Sequence, residues 1–88
     1  MKEKEYEKIL KALANHRRLK IVIYLKDKKI ATVGALASHI KLSFKSTSKH
    51  LTVLYSAGIL EKEQKNLSML YSIAEPLPKL ARQILNTI

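Results

Sequence analysis

Between Leu42 and Leu60 the chain reads LSFKSTSKHLTVLYSAGIL. Wound as a helix, this stretch puts Leu51, Leu54 and Ala57 on one face and Lys45, Ser48, Lys49 and Thr52 on the opposite one. The outer face carries amines, hydroxyls and an imidazole, and no carboxylate. Amines and hydroxyls on a helix can donate to base edges in a duplex groove and to phosphate oxygens, whereas a carboxylate there would repel the phosphates. A helix N-terminus adds unpaired amides and a partial positive charge. The spacing therefore assigns Phe44, Lys45, Ser46, Ser48 and Lys49 to base edges or the nearest phosphates, and His50 to a phosphate or to structure, with Thr47, Leu51 and Leu54 in the core. A charged helix face is ordinarily just solvated. The absence of acids on this one, in a chain with a strong basic excess, favours a polyanionic partner.

That excess is seventeen Lys and Arg against seven Asp and Glu, a formal charge of +10 over 88 residues, which makes nucleic acid the first candidate. No cysteine occurs, which excludes disulfides, thiolate metal sites and thiol redox sensing. His16, His39 and His50 fall in separate elements, so no metal site is expected. Ser and His are present, but no acid is placed to orient a triad, and neither a Gly-rich phosphate loop nor paired carboxylates occur. The chain reads as non-enzymatic, with no catalytic residues and no cofactor. The opening MKEKEYEKILKALAN alternates acids and bases without an apolar core, and no run of about 18 apolar residues could span a bilayer. A cytoplasmic protein, on the nucleoid when DNA-bound and with no membrane partner, is expected.

These side chains need a scaffold, and a single domain over residues 1–88 is all this length supports. From Glu3 to Ala14, the apolar Tyr6, Ile9, Leu10 and Leu13 make one stripe of an amphipathic helix. Asn15 can stop it or cap the next helix, HRRLKIVIYL, whose Leu19, Val22, Ile23 and Leu25 look core-facing. KDKK makes a polar turn and Ile30–Ala31 a short extended piece. Thr32 caps a third helix through Val33, Leu36, Ala37 and Ile40, and Ser43 caps the fourth after a three-residue link, the signature of a helix-turn-helix over residues 32–57. Gly58 suits the left-handed residue that ends it.

ILEKEQ and LSMLYSI then alternate with period two over residues 59–73, separated by Lys65 and Asn66, of which Asn tolerates positive φ. Lys62, Gln64, Lys65 and Asn66 make this hairpin a wing for an adjacent minor groove or the backbone, and Arg17 and Arg18 are further phosphate candidates. Past Pro76 and Pro78, residues 77–88 place Leu77, Leu80, Ala81, Ile84, Leu85 and Ile88 on one wide face that a small fold has little left to cover. With Tyr6, Ile9, Leu10 and Leu13 of residues 3–14, they suggest a twofold homodimer interface built from the two terminal helices. The fold class is thus mainly α with a small β-hairpin.

In its order of helix, helix, helix-turn-helix, hairpin and helix, the chain resembles the ArsR/SmtB family of winged-helix repressors. The resemblance runs from about Ile9 to Ile73, strongest in LKALANHRRLKIVIYL, in TVGALASHIKLSFKSTSKHLTVLYSAGIL and in the wing with Tyr71. It implies a homodimeric repressor of a palindromic operator. Family members usually have Gln at the position of Phe44, often Pro at Lys45, and Gly at Lys41 and Asn66, so the operator sequence does not carry over. Metal-sensing relatives use cysteines near the third helix or His and carboxylate pairs on the fifth. PKLARQILNTI offers neither, and the effector stays unknown. Two other readings fit the same residues: a nonspecific or architectural DNA-binding protein, and a winged-helix module that binds another protein.

Overall fold

The computed structural model describes residues 2–88. Its order is α1 (Lys2–Leu13), α2 (His16–Lys28), β1 (Ile30–Thr32), α3 (Val33–Ile40), α4 (Phe44–Ser56), β2 (Leu60–Lys65), β3 (Ser68–Ile73) and α5 (Lys79–Thr87). Among these residues no helix is long and apolar enough to cross a membrane.

Local capping chemistry sets the helix starts. Asn15 accepts from the Arg18 amide, Thr32 from Ala35 and Ser43 from Ser46, each at 3.1 Å. Each cap satisfies one amide that a helix N-terminus leaves without a partner. The ends use left-handed residues. Lys41 closes α3 at φ 58°, ψ 49°, and the next amide, of Leu42, donates back to the Ala37 carbonyl. Gly58, at φ 78°, does the same after α4, followed by the Ile59 amide donating to Leu54. Lys29 turns the chain out of α2 at φ 76°, ψ −44°, a region that L side chains rarely occupy.

Ile21, Leu25, Leu36, Ile40, Leu51, Leu54 and Ile59 form the centre of the core, all essentially inaccessible to solvent. The short extended piece is a true strand. β1 pairs antiparallel with β3 through Ala31 and Tyr71, giving a three-stranded sheet in the order β1-β3-β2. Pairing of β2 with β3 runs from Leu60 with Ile73 to Lys65 with Ser68, so the hairpin turn is Asn66–Leu67, one residue later than the sequence pattern suggests.

Three other expectations need correction. The helix at the end starts at Lys79, not at Leu77. More important, Ile9, Leu13, Ala81 and Leu85 are buried in the chain's own core and are not free to face a second protomer. A face of α5 thus packs inward, and Lys26 of α2 donates to the Leu85 carbonyl in its last turn. What α1 and α5 leave outside is a narrower strip, with Tyr6, Leu10 and Ile88 each more than two-fifths exposed and Leu77, Leu80 and Ile84 half-buried. Ile23 also departs from the pattern, lying about half exposed on α2.

Candidate nucleic-acid interface

The helix α4 is fixed from beneath. Leu51 and Leu54 are buried in the core, and Thr47, fully buried, donates its hydroxyl to the Ser43 carbonyl at 2.8 Å. The residues four and three positions apart on the other side are thereby held outward. Phe44, Lys45, Ser48, Lys49 and Thr52 line one shallow concave surface, as their spacing predicts. Thr52 belongs to this surface, but its hydroxyl donates back to the Ser48 carbonyl at 3.0 Å, so that proton is spent within the helix.

Phe44 is 63% exposed, an unusual cost for a large apolar ring outside the core. Among the described residues only two ion pairs form, Glu7–Lys11 and Asp27–Lys28. Lys45, Lys49, Lys62 and Lys65 therefore have no carboxylate partner, and no acid stands in the first turn of α4.

The strand register sorts the wing by charge. Side chains alternate across a sheet, and Lys62 and Gln64 share the face of their partners Tyr71 and Met69, of which Tyr71 is buried on the core side. Glu61, Glu63 and Lys65 take the opposite face with Ser72, Leu70 and Ser68. The side turned to α4 thus carries Lys62 and Gln64, and both carboxylates point away on the face of Lys65. The Lys62 ammonium sits over the Tyr55 ring at 4.5 Å, joining the wing to the end of α4. Tyr55 is absent from the residues singled out by sequence, although it extends the stripe Ser48, Thr52 at i+7 and i+3. Leu67 is likewise unforeseen, since its apolar side chain reads as a strand residue and not as the tip of a turn.

Of the two arginines, Arg18 is engaged within the fold. Its guanidinium donates to the Ala12 and Lys11 carbonyls at the end of α1 and to the Nδ1 of His50 on α4. His50 is correspondingly structural, half-buried and engaged from below. Its pKa is held below the usual 6.5 by burial first, then by Arg18 and Arg17. Arg17 has no such partner among the hydrogen bonds of the described residues. Ser46 lies one turn before His50 on the same flank, and its amide is taken by the Ser43 cap. The three histidines do not converge, and no group of three or more His, Asp or Glu forms among the described residues. His39 instead stacks on Tyr24, with ring centroids 4.5 Å apart.

The sequence profile of bacterial regulatory proteins of the arsR family matches residues 15–62, from the cap of α2 to the start of the wing. The transcriptional activator HlyU of Vibrio cholerae is 31% identical over 80 residues, a match covering 91% of this chain and 73% of HlyU. The solved structure of HlyU from Vibrio cholerae superposes with a TM-score of 0.82 at 27% identity, over 97% of this chain and 88% of that one. A homodimeric winged helix-turn-helix DNA-binding domain from Mycobacterium bovis does so with a TM-score of 0.82 at 26% identity, covering 96% and 74%. The transcriptional repressor PagR of Bacillus anthracis gives a TM-score of 0.80 at 28% identity, covering 99% and 95%. With more than half its length matched by the profile and a relative of this identity and coverage, the chain belongs to the arsR family of bacterial regulatory proteins.

Proposed function

We propose that this chain binds specific sites in double-stranded DNA as a twofold homodimer and represses transcription there. The observation that carries the reading is the carboxylate-free surface of Phe44, Lys45, Ser48, Lys49 and Thr52, with the Lys62 and Gln64 side of the wing beside it. Lys donates to guanine O6 and N7, hydroxyls serve several bases, and the Phe44 ring suits a thymine methyl group. Lys65, Asn66 and Arg17 lie at the margins, where phosphate contacts fix register without reading sequence.

The strip of exposed Tyr6, Leu10 and Ile88 with half-buried Leu80 and Ile84 is the surface for a second protomer, a reading supported by the homodimeric state of one solved relative. A twofold axis there sets two copies of α4 in successive major grooves, about 34–36 Å apart, and calls for an imperfect palindrome. Occupancy of promoter DNA that keeps the polymerase off would repress transcription. The relatives include HlyU, named an activator, and PagR, named a repressor.

The test is selection of bound duplexes from a random library at about physiological salt. An enriched palindrome supports the reading, and a reporter carrying it should be expressed less when the protein is supplied. Tight, salt-sensitive binding to every duplex without enrichment would replace it with an architectural role.

A further inference from the structure

Leu67 is 100% exposed at the tip of the wing, the most exposed of the large apolar side chains among the described residues. One exposed Leu on an ordinary surface calls for no explanation. This one differs in its company. It lines a groove of about 340 Å³ with Phe44, Met69 and Val33. Phe44 is also part of the α4 surface, so the groove opens on the side where DNA would lie. The turn itself does not need Leu, because the positive φ is taken by Asn66. Nor does the core, which Leu67 does not reach.

Lys65 immediately precedes this turn, and Lys62 lies further back on the same strand. Such cations bring the tip to the phosphates, yet an isobutyl group gains nothing from phosphate oxygens. Its gain comes past them, against sugar faces and base edges on the floor of the minor groove. Apolar side chains delivered there wedge between base pairs, partly unstack a step and bend the duplex toward the major groove.

We propose that Leu67 is a minor-groove wedge that partly unstacks one base step and bends the bound DNA. The proposal rests on the DNA-binding reading above and deepens it. Pyrimidine–purine steps unstack most easily, so the wedge selects sequence at a position where no hydrogen bond is made. Phe44 and Leu67 then act in different grooves, the ring on a major-groove edge and the isobutyl group in the adjacent minor groove.

The experiment uses the full chain and the duplex enriched by library selection, labelled at its ends for energy transfer, with 2-aminopurine placed beside each pyrimidine–purine step in turn. The wild-type chain should bend the duplex by about 20–90° and raise 2-aminopurine fluorescence at one step in each half-site. Leu67→Ala should abolish both signals and weaken binding about tenfold or more, the size expected for losing the burial of one Leu side chain. Leu67→Phe should keep the bend. Since Leu67 touches no core residue, an unchanged thermal midpoint in both variants confirms that the fold is intact. A straight duplex with the wild-type chain, or a Leu67→Ala variant that bends and binds like it, overturns the wedge while leaving the DNA-binding reading in place. Failure of the wild-type chain to prefer any duplex removes that reading and the wedge with it.

Discussion

Arg18 donates from its guanidinium to the Nδ1 of His50 at 3.1 Å, joining α2 to the helix that would enter the groove. The same guanidinium holds the Ala12 and Lys11 carbonyls at 2.6 and 3.1 Å, at the open end of α1. Because a guanidinium has no acceptor, His50 must be neutral with its proton on Nε2. One side chain thereby ties together a helix of the exposed apolar strip, the scaffold helix and α4.

Acid should loosen this junction. Burial, Arg18 and Arg17 keep the folded pKa of His50 below 6.5, so the unfolded chain takes up the proton first as pH falls. The stability contributed by neutral His50 is complete above about pH 6.5. It is lost as pH drops from there through the lower folded value. Urea denaturation across that range should show a declining midpoint that flattens in His50→Gln. An equal decline in the variant would place the pH dependence elsewhere.

Arg18→Ala should cost about 1–3 kcal/mol, since two helix-end carbonyls and an imidazole nitrogen lose their donor. Arg18→Lys should recover only part of this, because an ammonium cannot reproduce a fork that reaches three acceptors. Arg17→Ala should leave the urea midpoint unchanged and instead lower DNA affinity and its salt dependence. A stable Arg18→Ala would show that the network contributes little.

On DNA, Lys49→Ala should weaken binding to the selected site by about 1–3 kcal/mol if Lys49 reads a base. Glu63→Gln, on the face of the wing turned away from α4, should bind as well as the parent or slightly better. If the dimer neutralises about 6–10 phosphates, its affinity should fall about 10³- to 10⁵-fold between 50 and 200 mM salt. Titration by fluorescence anisotropy gives all three. Equal losses for Lys49→Ala and Glu63→Gln would mean that the charge sorting of the hairpin has no bearing on binding.

The two sides of the terminal helices should respond differently to charge. Leu10→Lys, on the exposed strip, should yield a folded monomer by sedimentation. Leu85→Lys, a cation in the core, should fail to fold. A dimeric Leu10→Lys would move the protomer contact to another surface.

Lys29→Gly should stabilise the chain by about 1 kcal/mol, which for a domain of this size raises the thermal midpoint by about 4–8 °C. The gain is the relief of φ 76°, ψ −44° less the extra freedom of Gly in the unfolded chain. A lower midpoint would mean that the Lys29 side chain holds something that Gly cannot.

What the sequence reveals here is mostly what is decided within a few residues. Asn15, Thr32 and Ser43 are legible as caps, and Gly58 as a left-handed stop, because donor and acceptor lie three to five positions apart. The outward stripe of α4 follows from its buried Leu51 and Leu54 for the same reason. The fate of Leu85 and Ile9 is not local. Helical periodicity reports that a face is apolar and is silent on whether the chain or a partner covers it. Arg18 escapes in the same way, since its partner His50 stands thirty-two residues on. At the hairpin, positive φ at Asn66 is readable, but the pairing of Lys65 with Ser68 depends on how the whole strand meets β3.

The alternation of charge along β2 also bears on how this hairpin can drift over generations. Point substitutions at Glu61 or Glu63 leave the parity of the strand intact. Insertion or loss of a single residue between Leu60 and Lys62 would invert it, turning carboxylates toward the helix side and burying Lys62's neighbours in the wrong sense. Insertions in pairs restore the phase. The paired length of β2 among descendants of this sequence should therefore change in steps of two, with odd steps surviving where a bulge or the Asn66–Leu67 turn absorbs the extra residue.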